Sequence, residues 1–238
     1  MAEFFQPSTA ERLEALDSAA NTSDILPHLL EKDIWVVWAL RHLFAGPYAA
    51  HLVFKGGTSL SKAYRVIRRF SEDVDHCDAS VHLQGIEFPT TTPQVMRAER
   101  TFWEKATAIH VFCAHGEFRG GERFARHWHD VTRLDAAGFA DAAIADVGLA
   151  RAVADHKSIF FAEKNPRGEI IDYHAAVSGG LRLVPNDGAL AKLANDYQQM
   201  VDDGLFLDDV EAFEALLERC RAVQQRANVK KSLPAPKK

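Results

Sequence analysis

Long apolar runs are missing from this chain. No stretch approaches the roughly 18 or more consecutive apolar residues that a membrane-crossing helix requires, so no membrane association is expected. The opening residues, MAEFFQPSTAERLEAL, lack the basic segment followed by an apolar core that marks a secretory signal. A cytoplasmic protein is the expectation. Cysteine is scarce. Cys77, Cys113 and Cys220 have no metal-ligand spacing and form no disulfide framework, which fits buried thiols in a reducing compartment. There is no HExxH and no Cys/His spacing for zinc. There is also no GxxxxGK[ST] and no GxGxxG, which disfavours an ordinary P-loop or dinucleotide-binding turn.

A surplus of positive charge is absent too. The formal net charge is −5, which does not advertise a nucleic-acid binder. The distribution says more than the sum. Basic residues gather at Lys62–Arg69, at Arg119–Arg133 and in the last ten residues, while acids gather around Asp202–Glu218. A local basic channel in an acidic protein is compatible with an RNA substrate. What remains is ordinary for a globular protein: 238 residues, 47% hydrophobic and 26% charged, enough for one large domain or two modest ones.

The stretch LVFKGGTSLSKAYRVIRRFSEDVD, residues 52–75, is the centre of the reading. Leu52-Val53-Phe54 reads as a buried strand. Lys55, Gly56, Gly57, Thr58 and Ser59 form a hydroxyl-rich turn with a cation at its mouth. A helical segment follows, with Leu60, Ala63, Tyr64 and Ile67 on one face. Asp73 and Asp75 are two residues apart, so a strand there puts both carboxylates on one face. A turn of backbone N–H groups beside paired carboxylates for Mg²⁺ suits phosphoryl or nucleotidyl transfer. Taken singly, the turn fits a strand-to-helix connection needing a glycine backbone, and the carboxylates fit a solvated acidic turn.

Helical periodicity runs through most of the remainder. Thr9–Ala20, with Ser8 or Thr9 as cap, is followed by a break at residues 21–24 and a second helix at 25–44. Trp35 and Trp38 on that helix suggest a ligand box or, more in keeping with their spacing, core packing. Ile86-Glu87-Phe88 reads as a short strand. Helices are expected at Arg97–Phe112, Phe124–Leu134, Ala140–His156, Ala189–Val201 and Leu207–Asn228, with an extended piece at Leu181–Pro185. Lys105 reads by itself as a solvated lysine. Asp130, four positions after Arg126, suits an i,i+4 ion pair, or with His127 and His129 a metal site.

These residues together resemble a family. FKGGTSLSKAYRVIRRFSEDVD is similar to the opening motif of the AbiEii/AbiGii-type nucleotidyltransferase toxins, a branch of the polymerase-β-like nucleotidyltransferases found in bacterial toxin–antitoxin and abortive-infection systems. ERTFWEKATAIH at Glu99–His110 resembles the second motif and RHWHDVTRL at Arg126–Leu134 the third. LRLVP, DYQQM at Asp196–Met200 and the closing helix resemble the C-terminal half. The resemblance implies transfer of a nucleotide from an NTP with release of pyrophosphate, the acceptor in some members being the 3′ end of tRNA. It implies Mg²⁺ on Asp73 and Asp75, and terminal phosphates on Lys55, Gly56, Gly57, Thr58 and Ser59. Lys105 would neutralise triphosphate charge, and Asp130 would orient a catalytic or substrate group. A cognate antitoxin is the implied partner.

One departure stands out. The segment between Asp75 and Glu99 is shorter than the family's usual one, in which a further strand contributes another acid. Glu87 is the one strand-like acid available there. Either it serves as a metal ligand on a pared-down sheet, or part of the usual site is lacking. The expectation is an α/β (α+β) nucleotidyltransferase core over residues 1–135, a mainly α-helical C-terminal part over 136–229, and a disordered basic tail over 230–238. The rival readings are an Mg²⁺-dependent phosphotransferase or phosphoesterase, and a non-catalytic member that binds nucleotide or a partner.

Overall fold

The computed structural model describes residues 2–23, 25–67, 86–87, 90–116, 121–206 and 210–229. Of residues 2, 3, 62, 86, 87 and 187 only the backbone is described. These residues fall into two compact units, one from residues 2–65 and 86–96 and the other from 66–67 and 97–229. Cys77 and the tail from residue 230 onward lie outside the described residues.

The first unit is led by a helical hairpin, α1 (Thr9–Ser23) and α2 (Pro27–Ala45). Ser8 and Glu11 start α1 reciprocally. The Ser8 N–H and Oγ donate to Glu11 Oε2 at 2.8 and 2.7 Å, and the Ser8 Oγ accepts from the Glu11 N–H at 3.4 Å. The hydrogen bonds from the Ser8 side chain and backbone hold the Glu11 carboxyl below its ordinary pKa. The break expected at residues 21–24 begins later, because α1 runs through Ser23 and the Thr22 hydroxyl donates back to the Ser18 carbonyl at 2.8 Å. Pro27 opens α2, where its missing N–H costs nothing. Leu16 and Ala19 of α1 pack on Leu30, Ile34 and Val37 of α2, with Phe4 closing the end.

Trp35 and Trp38 are not core residues. They lie off the buried stripe of α2 and remain exposed, grouped with Phe5 at ring distances of 4.6 and 6.0 Å.

The α/β core is not what the described residues show. Their architecture is mainly helical. In the first unit, β1 (Ala2–Glu3) and β2 (Ile86–Glu87) pair in parallel over two residues, and Phe54 makes an isolated parallel bridge to Val95. Leu52–Phe54 is therefore a one-residue bridge rather than a buried strand. The Phe54 N–H donates to the Gln94 carbonyl at 2.7 Å and its carbonyl accepts from Met96 at 2.9 Å, while Val53 is 52% exposed. A parallel strand inside a sheet is covered on both faces, and this one is not. Glu87 does sit in a strand, paired with Glu3.

The second unit is built around α3's successor in the chain, the long helix α4 (Ala98–His115); α3 itself (Gly57–Lys62) belongs to the first unit. Helix α4 is buried around most of its circumference, including Phe102, Trp103, Ala106, Ile109 and Phe112. Against it pack α5 (Arg126–Ala136), α6 (Phe139–Ala145) and α7 (Val147–Phe160). The single helix expected at Ala140–His156 is split at Asp146, whose carboxylate accepts from the Leu149 N–H at 2.9 Å and caps α7. A short turn, α8 (Tyr173–Ala175), leads through a π-turn at Ala176–Gly180 into the extended piece 181–185. Then come α9 (Asp187–Asp202) and α10 (Phe213–Asn228).

Among the described residues the extended piece has no strand partner, and side chains satisfy its backbone. Asn228 exchanges two hydrogen bonds with Leu181, both at 2.8 Å. His110 Nδ1 accepts from the Arg182 N–H at 3.1 Å, and Gln224 Oε1 from the Leu183 N–H at 2.6 Å. The Trp128 indole donates to the Leu183 carbonyl at 2.8 Å. Cys113 and Cys220 are buried free thiols, and burial pushes Cys113 up to about 12. Among the described residues, no helix is long and apolar enough to cross a membrane.

Candidate functional site

The turn Lys55–Ser59 leads directly into α3. Gly56 has φ +108° and ψ −169°, a conformation open to glycine and strained for any other residue. A Cβ placed there would meet nothing within 4 Å, so the demand is on the backbone rather than on space. Thr58 and Ser59 are fully buried. The Ser59 hydroxyl donates to the Gly56 carbonyl at 2.9 Å and the Ser61 hydroxyl to the Thr58 carbonyl at 3.0 Å. The hydroxyl of Ser59 is thus turned onto the main chain, and what this turn offers a ligand is backbone N–H groups of a first helical turn. Lys55 is exposed at its mouth.

The helix ends sooner than its periodicity implied. It stops at Lys62, and Arg65 takes a positive φ of 51°, so Ala63, Tyr64 and Ile67 do not continue one face. The Tyr64 hydroxyl instead donates to the Met96 carbonyl at 3.0 Å.

Lys105 of α4 and Asp130 of α5 are brought into direct contact. The Lys105 Nζ lies 2.6 Å from Asp130 Oδ2, and the two side chains are 9% and 0% exposed. Lys105 is therefore not a solvated lysine. Nor does Asp130 pair with Arg126 four residues before it: its partner is on another helix. The neighbouring groups fix the arrangement. Arg133 Nε donates to His129 Nε2 at 3.4 Å, which in a neutral ring leaves the proton on Nδ1, 3.5 Å from Asp130 Oδ1. The Thr132 hydroxyl donates to the His129 carbonyl at 2.8 Å, and the His129 ring rests on Phe206 at 4.7 Å. Trp128, Val131 and Leu134 bury the same helix alongside.

Asp196 was not singled out by the sequence reading. Its carboxylate, 9% exposed, accepts from the Arg123 N–H at 2.8 Å and the Ala125 N–H at 2.7 Å. It thereby pins the entry to α5, where Arg123 has a positive φ of 62°. A signal was present: with Leu193, Tyr197 and Met200, Asp196 occupies the buried stripe of α9 at spacings of three, four and seven. An acid on an apolar stripe needs a partner inside.

Asp73 and Asp75 lie outside the described residues, as does the Glu87 side chain. Among the described residues, no group of three or more His, Cys, Asp or Glu side chains is placed to hold a metal ion. The described part of the candidate site is thus the glycine turn in one unit and a buried lysine–carboxylate pair in the other.

A family model described as nucleotidyl transferase AbiEii toxin, type IV TA system, matches residues 38–77 and 76–219. The two matches together run from 38 to 219, which is 182 of 238 residues, and include the glycine turn, Asp73, Asp75, Lys105, Asp130 and Asp196. No curated protein and no solved structure matches the chain.

Proposed function

Given that the chain belongs to the AbiEii family of nucleotidyl transferase toxins from type IV toxin–antitoxin systems, we propose that it transfers a nucleotide from an NTP to the 3′ end of a tRNA, using Mg²⁺, and that its system's antitoxin counters the effect. The observation that carries this reading is the buried Lys105–Asp130 pair at 2.6 Å. The two residues come from two separate motifs. A buried ion pair is seldom kept for stability alone, since an apolar pair of similar volume does as well.

In this reading the acceptor hydroxyl oxygen bonds to the α-phosphorus, the bond to the bridging oxygen of the β-phosphate breaks, pyrophosphate leaves and the hydroxyl gives up its proton. Lys55 and the N–H groups of Gly56, Gly57, Thr58 and Ser59 hold the terminal phosphates. Lys105 meets the negative charge of the triphosphate. Asp130 is fully enclosed, so it acts through Lys105 as a positioning residue rather than on substrate. Asp73 and Asp75 would hold the metal, with Glu87 as the further acid, and Mg²⁺ there would supply neutralisation of phosphate charge and polarisation of the reacting oxygens. The transferase core corresponds to residues 1–135, followed by the helical part at 136–229 and the basic tail at 230–238.

Incubation with purified tRNA and each ribonucleoside triphosphate labelled at the α-phosphate tests this. Labelled tRNA is expected from the wild type and not from Asp73→Ala. Transfer of label to protein from a γ-labelled triphosphate, or release of free phosphate, with tRNA left unlabelled by the α-labelled one, would point to the phosphotransferase or phosphoesterase instead.

A further inference from the structure

Beyond the residues of the transfer site, one surface of the second unit has chemistry that the fold does not use. Helix α7 ends with Ile159 and Phe160 exposed at 72% and 68%, and Phe161 follows them to the surface. The chain then turns through a tight hairpin whose arms meet at an antiparallel bridge between Lys164 and Ile170. Asn165 organises its tip, with Oδ1 accepting from the Arg167 and Glu169 N–H groups at 2.9 and 3.0 Å. The base is fixed as well. Ile171 and Tyr173 enter a core with Val111 and Ala154, and the Tyr173 hydroxyl donates to the Phe161 carbonyl at 2.7 Å. The hairpin is preformed.

Ring faces and cations are gathered there. The His156 ring lies 4.8 Å from Phe160 and 5.9 Å from Phe161, and the Lys157 Nζ sits 4.5 Å over the Phe161 ring. Formal charges between residues 151 and 174 balance, with Arg151, Lys157, Lys164 and Arg167 against Asp155, Glu163, Glu169 and Asp172. Each of the acids has a hydrogen-bonding or ion-pairing partner. Asp155 pairs with His174 at 3.2 Å, Glu163 with His115 at 2.9 Å, Glu169 accepts from Asn165 at 2.7 Å, and Asp172 accepts from the Ala175 N–H at 3.0 Å. Among the described residues, Lys164 and Arg167 at the hairpin tip have no such partner.

We propose that the Phe160–His156–Phe161 ring face and the Lys164–Arg167 hairpin tip form a docking surface for a single-stranded segment of the acceptor RNA. Bases stack on exposed rings, and phosphates take the two uncommitted cations. A protein partner is less well matched at Lys164, because interface cores are depleted of lysine. The placement suits an acceptor. Glu163 at the base of the hairpin is tied to His115, the last residue of α4, and Lys105 lies ten residues back on that helix, ~15 Å along its axis. The proposal rests on the transferase reading for the identity of the RNA.

The test uses the full chain with Phe160→Ala and with the double change Lys164→Glu/Arg167→Glu, all at exposed positions. Fluorescence anisotropy reads binding of purified tRNA and of a short unpaired oligoribonucleotide. Each variant is expected to weaken oligoribonucleotide binding roughly tenfold, and the charge variant to flatten its salt dependence by about two counterions. In the labelling assay, KM for tRNA rises while KM for the NTP stays unchanged. Wild-type RNA affinity in both variants overturns the proposal, as does altered self-association with RNA binding intact, which would make the surface an interface between copies. Failure of the transferase reading looks different: wild-type protein would leave tRNA unlabelled whatever the anisotropy shows.

Discussion

Lys105 and Asp130 form an enclosed ion pair, and removing either partner breaks it, a loss of about 3–5 kcal/mol. Urea denaturation should show Asp130→Ala and Lys105→Met each destabilised on that scale. The double variant should lose less than the sum, giving a clear coupling energy in a double-mutant cycle. His110 supplies a pH-dependent counterpart. Burial chiefly, and the Arg182 charge next, lower its pKa to about 4, and its Nδ1 accepts the Arg182 N–H, so the folded protein holds it neutral. The unfolded chain binds a proton there near pH 6.5. Stability from this group is therefore complete above about pH 6.5 and falls as pH drops towards 4, in all by about 3 kcal/mol. His110→Gln should flatten that part of the stability–pH curve. Lys105 and Asp130 were legible as motif members, yet their contact was not. Arg126 stood nearer in sequence, and a pairing between two helices leaves no trace in local spacing. Asp196 was legible as the first residue of the DYQQM segment and as an acid on an apolar stripe, but its hold on the entry to α5 was not.

The elements show where periodicity informs and where it does not. Helices α4, α9 and α10 follow from apolar stripes long enough to exclude other structures, although α10 begins at Phe213 and not at Leu207, since residues 210–212 are not helical. An apolar triplet such as Leu52–Phe54 is too short to distinguish a buried strand from a connection. The end of α3 at Lys62 is set by a backbone turn at Arg65 that no residue type there demands. The glycine turn itself makes a firm demand. Gly56→Ala should cost about 1–3 kcal/mol from its conformation alone and should raise KM for the NTP, measured by steady-state labelling. The extended piece 181–185 depends on borrowed acceptors. Gln224 accepts from both the Leu183 and Val184 N–H groups, so Gln224→Leu strands two donors and should destabilise by about 1–3 kcal/mol in thermal or urea unfolding.

On the scale of the whole molecule, family membership is shown, and the described residues are mainly helical. The α/β expectation drew on Leu52–Phe54, which proved to be a bridge, and on Asp73–Asp75, which lie outside the described residues. The proposed metal dependence is testable on the intact protein: chelation should abolish tRNA labelling, added Mg²⁺ should restore it, and Asp73→Ala should be harmless when expressed without the antitoxin. Equal toxicity of Asp73→Ala and wild type would end the catalytic reading. Helix α4, enclosed by its neighbours over most of its surface, has a consequence for how such an activity is restrained. Amide hydrogens in a helix of this kind exchange only when the surrounding unit opens, so they should rank among the slowest in the chain. Lys105 thus rides on a helix that opens only with the unit around it. An agent that disarms this lysine locally has to occupy its surroundings, because loosening them means unfolding the unit that carries it.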